Sequence, residues 1–251
     1  MKLPRREFTR DCPWGEDCEK FNTPECKFPC FQQDEYFYLL ETSNLPEQFK
    51  DDVIINPENR LDLIKFQALH NIKLDADYFV VDGENLSITG ASGTGKTTWA
   101  CKIMRQYMMY IAYNNGYVCR CIYVHLPTYI QKLKDSYGGI EDSRFKELRK
   151  QVETVPLVLW DDIDCVQNLK GALAEEIYCK FSIRSLNRLA NICTGITSMK
   201  NLIANSDPKL RPYLELYKEI HFCSNINMKQ SSDYTVLGNM ASKKSGVFEN
   251  E

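Results

Sequence analysis

The sequence predicts an α/β fold: a parallel five-stranded sheet flanked by helices. Three observations predict it. A β-prone run beginning at Leu86 breaks into the glycine-rich turn Gly90-Ala-Ser-Gly-Thr-Gly-Lys-Thr97 and continues as a helix-compatible stretch. A second apolar run, Val155 to Trp160, ends in Asp161 and Asp162, as a strand buried on both faces of a parallel sheet does. Between and after these runs, β-branched segments alternate with helical patterns, which is the order a parallel sheet with crossover helices requires.

At 251 residues the chain fits one medium domain plus an appendage, and 43% apolar residues supply a substantial core. The net charge of −3 excludes bulk attraction of the whole molecule to nucleic acid and leaves room only for local basic surface. Eleven cysteines in a chain of this length, opening Met-Lys-Leu-Pro-Arg-Arg without an apolar stretch, point to reduced thiols in the cytoplasm. No window approaches the ~18 apolar residues of a membrane span.

Residues 1–45 are expected to form a separate N-terminal region. Cys12, Cys18, Cys26 and Cys30 lie there among several prolines, with little helical or strand periodicity. Four thiolates would hold a tetrahedral Zn²⁺ and so stabilise a segment too small for a core of its own. The alternative is an arm with incidental cysteines. The other seven, Cys101, Cys119, Cys121, Cys165, Cys179, Cys193 and Cys223, lie in apolar runs and read as small buried hydrophobes.

An apolar-aromatic stretch, Tyr36 to Leu40, leads to a turn and linker, and a helix is expected over 57–69. Gly90 to Thr97 then fit G-x-x-x-x-G-K-[ST] at every fixed position. Glycines let the backbone curl so that its N–H groups, from Gly90, Ala91, Ser92, Gly93, Thr94 and Gly95 through Lys96, Thr97 and Thr98, face phosphate oxygens at a helix N-terminus. Lys96 would reach the β- and γ-phosphates of ATP, and the Thr97 hydroxyl would ligate Mg²⁺.

The helix from this turn is expected to stop at Asn114-Asn115-Gly116, followed by a strand to His125, a helix to Tyr137 and a charged helix over 141–153. His125 reads as structural or near the nucleotide edge. Asp161 and Asp162, at the carboxyl end of their strand, occupy the position where ligands bind in such sheets. Asp161 would hold Mg²⁺ largely through water, and Asp162 would orient or deprotonate the attacking water.

A long helix over 171–190 carries Lys180, Arg184 and Arg188 every four residues. Such a stripe tracks a phosphate backbone or forms a solvated face. A fourth strand over 192–197 ends in Thr197 and Ser198, polar groups placed to sense the γ-phosphate. A helix is expected over 205–217 and a fifth strand over 220–223. Arg211, in that helix, is either an arginine supplied to a neighbouring subunit's nucleotide or a plain surface residue. The 26 residues beyond Asn225 are too few for a helical lid domain, and 229–251 read as a flexible tail.

With these residues in place, the chain resembles the AAA+ helicase loaders of the bacterial DnaC and DnaI type, phage-encoded relatives included. The resemblance covers roughly residues 45–228. It rests on Gly-Ala-Ser-Gly-Thr-Gly-Lys-Thr-Thr-Trp-Ala and Leu-Val-Leu-Trp-Asp-Asp-Ile.

The resemblance implies an ATPase core over 46–228 that self-assembles on ATP or on its partner. It also implies an N-terminal region that grips a replicative DnaB-type hexameric helicase, and single-stranded DNA as second partner, engaged by the helix of Lys180, Arg184 and Arg188. Arg211 matches the family's arginine finger. Thr197-Ser198-Met199 departs from the family's Thr-Ser-Asn type of triplet, and Lys229 is the nearest basic residue to the family's last sensor arginine, so weak or partner-dependent hydrolysis is expected. Two other functions share the core: a transposition ATPase of the IstB kind acting on duplex DNA, and a phage-encoded decoy that captures the helicase or its loader.

Overall fold

The computed structural model describes residues 23, 30–51, 53–57, 60–112, 117–139, 142–223 and 226–230. Cys12, Cys18 and Cys26, and the tail beyond Gln230, lie outside the described residues.

Five strands, β2 (Asn85–Gly90), β3 (Cys121–His125), β4 (Leu157–Asp161), β5 (Ala190–Gly195) and β6 (Lys218–Phe222), form one sheet in the order β3-β4-β5-β2-β6. Every pairing in it is parallel. Alternate residues serve two cores. Leu86, Ile88, Cys121, Tyr123, Leu157, Leu159, Ala190, Ile192 and Phe222 face one, and Ile122, Val124, Val158, Trp160 and Cys193 face the other. Burial on both sides is why β3 and β4 read as nearly unbroken apolar runs.

The first core is completed by α2 (Arg60–Leu74), α3 (Ala76–Val81) and above all α4 (Lys96–Ala112), whose Ala100, Met104, Tyr107, Met108 and Ile111 recur at helical spacing and are buried. The second core takes α5 (Leu126–Tyr137), α6 (Ser143–Thr154) and α7 (Ala172–Leu186). Local signals set their ends: Pro127 stands in the first turn of α5, Gly138 caps its end, and the Asp142 carboxylate accepts the Arg144 N–H at the start of α6.

Besides the short helix α3, two features are absent from the sequence-based expectation. The first is α1 (Phe31–Thr42), whose Tyr36, Leu39 and Leu40 are buried in the first core. The Ser43 carbonyl just beyond it accepts the Tyr123 N–H at 2.8 Å, so this segment closes the outer edge of β3. The second is an antiparallel ribbon of β1 (Val53–Pro57) and β7 (Ile226–Gln230), which pairs Val53 with Gln230 and incorporates Lys229.

A third difference concerns the helix expected over 205–217. Two short helices, α8 (Met199–Asn205) and α9 (Arg211–Leu214), stand there instead. The Ser206 hydroxyl closes α8 on the Leu202 carbonyl, and Pro208, which cannot donate to a continuing helix, follows at once.

The basic stripe expected over 171–190 is corrected by the structure, in which α7 ends at Leu186 and Arg188 lies beyond it with a left-handed backbone. Arg184 is wholly buried, and Lys180 is 5% exposed. Arg184 lies over the start of β4 and β5: Nη1 donates to the carbonyls of Val152 and Val155, Nη2 to those of Pro156 and Ala190, and Nε to Asn191 Oδ1. Burial pulls its pKa down to about 9, still above neutrality. Lys180 is paired with Glu153 and Glu176. Arg188 alone of the three is exposed, so the stripe is no phosphate track. Helical spacing finds the face a charge shares, but the carbonyls that turn that face inward come from other elements.

Candidate functional site

At the carboxyl end of β2 the chain enters the glycine-rich loop. Gly90 has φ +141°, and a Cβ there would lie 2.8 Å from the Phe222 carbonyl oxygen, so both backbone shape and the close approach of β6 demand glycine. Gly93 and Gly95 also have positive φ, and α4 begins at Lys96. Ala91, Ser92 and Gly93 are exposed, whereas Thr94, Gly95 and Thr98 are buried beneath them. The Thr94 hydroxyl and the Lys96 ammonium both donate to the Ala91 carbonyl, at 2.9 and 2.8 Å. Burial lowers the Lys96 pKa, against the opposing pull of Asp164, Asp161 and Asp162.

Asp161, at the end of β4, accepts three hydroxyls. Thr97 donates to Oδ1 at 2.7 Å, Thr194 donates to the same oxygen, and Tyr123 donates to Oδ2 at 2.6 Å. Asp162 follows in the left-handed region, φ 62° and ψ 57°, and its N–H donates to Thr194 Oγ1 at 3.2 Å. Burial raises its carboxyl pKa, reinforced by the charges of Asp164 and Asp161 and opposed by His125 and Lys96. Asp164 accepts the N–H groups of Ile196 and Thr197, which ties the loop after β5 to the turn after β4.

The other expected residues are placed as follows. The Thr197 hydroxyl bonds Gln167 Nε2 at 3.3 Å, while Thr194, three residues earlier, is the hydroxyl on Asp161. The Arg211 guanidinium is held on the carbonyls of Ser206 and Ala204, where it clamps the end of α8. His125 shares a 2.7 Å hydrogen bond with Thr128 at the mouth of β3. Cys30 is partly exposed and reduced, and no cluster of metal-ligating side chains occurs among the described residues. Of the seven other cysteines, Cys101, Cys121 and Cys193 are buried, Cys119, Cys165 and Cys179 are partly so, and Cys223 is exposed.

Sequence reasoning misses Tyr123, Thr194 and a further network beside the loop. Glu219 Oε1 accepts both the Thr89 hydroxyl at 2.5 Å and the Met199 N–H at the start of α8, at 2.9 Å, and Thr89 also meets His221 Nδ1 at 2.9 Å. Polar residues inside apolar strands, Thr89 and Thr194 near carboxyl ends, are the signal that could have found them.

The residues fit a nucleoside triphosphate with Mg²⁺. A positive-φ glycine loop opens onto a helix N-terminus, and a lysine spans the loop. A hydroxyl and a carboxylate meet at one point, giving the hard oxygen donors that Mg²⁺ takes.

Solved structures share this architecture. The chain is similar to the DnaC helicase loader, with 16% identity over 67% of this chain and 93% of that one, TM-score 0.50. It is similar to DnaI, with 19% identity over 72% and 93%, TM-score 0.50. A replication initiator DnaA bound to AMPPCP and single-stranded DNA matches with 19% identity over 68% of this chain, TM-score 0.51. This chain spans about half of that DnaA chain, 49%. No family model matches the sequence, and no curated protein matches it. The chain thus shares the fold of these proteins, a parallel five-stranded sheet flanked by helices, and no helix among the described residues is long and apolar enough to cross a membrane.

Proposed function

We propose that this chain is an ATPase that binds a replicative hexameric helicase of the DnaB type and helps place it on single-stranded DNA. The observation that carries the reading is the union of a complete phosphate-loop site, Thr97 on Asp161 behind a positive-φ glycine loop, with a fold that runs over 93% of the DnaC helicase loader. Likeness to DnaA bound to single-stranded DNA supports the second partner.

In this reading the N–H groups of the loop and the Lys96 ammonium bind the phosphates, and Thr97 with Asp161 holds Mg²⁺. A Mg²⁺ held there would neutralise phosphate charge. Asp162 takes the proton of the attacking water, and Thr197 senses the γ-phosphate. Arg211 leaves its carbonyls on α8 to reach a neighbouring subunit's nucleotide, which makes turnover depend on assembly. The residues ahead of α1 contact the helicase, with Zn²⁺ on Cys12, Cys18, Cys26 and Cys30, and the ATPase unit expected over 46–228 is extended by α1 at one end and by the β1–β7 ribbon, which takes in Lys229 and Gln230, at the other.

The test is size-exclusion chromatography of the full chain with the replicative helicase of its host, with and without ATP and magnesium, followed by single-strand loading assays. Nucleotide-dependent co-elution is expected. Separate elution under every nucleotide condition sinks the loader reading. Metal analysis of the full chain should find about one zinc.

A further inference from the structure

Asp161 would need only Thr97 and water to hold a metal ion, yet its carboxylate carries two additional hydroxyls from neighbouring strands. Tyr123 comes from β3 and Thr194 from β5, one on each side of β4. Both belong to the sheet rather than to loops. The Tyr123 ring is buried in the first core, and Thr194 is 2% exposed. The Thr194 hydroxyl also accepts the Asp162 N–H, and so fixes the backbone of the second acid. A buried phenol aimed at a carboxylate is costly to place without its partner, and here burial and the Asp161 hydrogen bond together keep it protonated, its pKa raised.

We propose that Tyr123 and Thr194 form a hydroxyl clamp that positions Asp161 for Mg²⁺, so that the metal affinity of the site is set from the two neighbouring strands. This rests on the nucleotide reading above. Partners that orient a metal-binding carboxylate commonly change metal affinity 10–100-fold when removed. Neither clamp hydroxyl belongs to the phosphate loop. Thr97 can therefore turn its hydroxyl from Asp161 to the metal without freeing the carboxylate, because Tyr123 and Thr194 retain both of its oxygens.

The experiment uses the full chain and a fluorescent ATP analogue, titrated with Mg²⁺ and separately in EDTA. Tyr123→Phe and Thr194→Val should each raise the Mg²⁺ concentration for half-maximal analogue binding by about 10-fold, while binding in EDTA stays within about twofold of wild type. Thr194→Ser, which restores a hydroxyl, should recover most of the loss. A merely structural role would lower binding in EDTA and in Mg²⁺ alike and would not separate serine from valine. Unchanged Mg²⁺ dependence in Tyr123→Phe and Thr194→Val overturns the clamp while leaving the phosphate site intact. A wild-type protein that binds no analogue overturns the phosphate site and the clamp together.

Discussion

Arg184 Nε donates to Asn191 Oδ1 at 2.5 Å, and the same amide oxygen accepts the Trp160 indole N–H at 3.0 Å. The Asn191 amide nitrogen in turn donates to Asn85 Oδ1 and to the Leu189 carbonyl. One asparagine thus joins α7, β4, β5 and β2 at the end of the sheet opposite the phosphate loop.

Arg184→Met should therefore act on stability rather than on any DNA contact. It strips five hydrogen bonds from buried acceptors, and a loss on the order of 3–5 kcal/mol follows from their desolvation. Arg184→Lys should fall more than about 2 kcal/mol short of wild type, because an ammonium cannot match the planar fork. Arg188→Gln, at an exposed site, should stay within about 0.5 kcal/mol. Urea unfolding measures all three, and a near-neutral Arg184→Met would mean that these hydrogen bonds do not hold the sheet together.

Glu176 gives the acid-side prediction. Burial works to raise its carboxyl pKa, yet Lys180 and Arg149, by charge and by hydrogen bonds at 3.0 to 3.1 Å, outweigh burial and hold it below the usual carboxylate range. A depressed pKa means that the ionised form is favoured by folding. Its stabilisation is full above the unfolded-state value, about 4.3, and is lost as pH falls through the lower folded value. Glu176→Gln should lower the melting temperature at pH 7 and flatten the acid limb of the stability curve. Wild type and variant should converge at the lowest pH, and a constant gap down to that limit would assign the effect to packing.

The phosphate loop and Asp161-Asp162 are legible in the sequence because each is a local pattern whose residue order is itself the chemistry. Strands β3 and β4 are legible for a related reason, since burial on two faces leaves a nearly unbroken apolar run, which β6 at the sheet edge, Lys218-Glu-Ile-His-Phe222, does not show. Tyr123 and Thr194 are not, since each meets Asp161 across a neighbouring strand, and nothing in their own surroundings encodes that register. Helix α1 hides because Tyr36 to Leu40 is an unbroken apolar run without helical period. The β1–β7 ribbon pairs residues from opposite ends of the domain, which no window can see. Arg184 misleads for the opposite reason: its spacing on α7 is visible and its burial is not.

Lys96→Ala and Asp162→Asn should part binding from turnover. With Lys96 removed, the thermal stabilisation by ATP and Mg²⁺ should vanish. In wild type, that stabilisation would amount to about 2.7 kcal/mol at ligand 100-fold over its dissociation constant. Asp162→Asn should keep it, since asparagine also tolerates the left-handed backbone at this position. Its hydrolysis rate, measured by phosphate release, should fall about 10²- to 10⁴-fold, the usual share of a positioned base. Normal turnover would pass the role to another residue.

Arg211 has two readings that a mixing experiment separates. Its guanidinium now holds the Ser206 and Ala204 carbonyls at 3.2 and 3.3 Å, so Arg211→Ala should cost about 1 kcal/mol of stability whatever happens in assemblies. If the same side chain also serves a neighbour's nucleotide, Arg211→Ala subunits retain an intact phosphate site but lack the arginine they would lend. Asp162→Asn subunits have the arginine and an idle site. Each variant alone should be inactive, and an equal mixture should regain part of the wild-type rate, because an Asp162→Asn subunit completes the site of its Arg211→Ala neighbour. Activity that stays absent on mixing, with both variants folded and nucleotide-bound, would confine Arg211 to the clamp on α8.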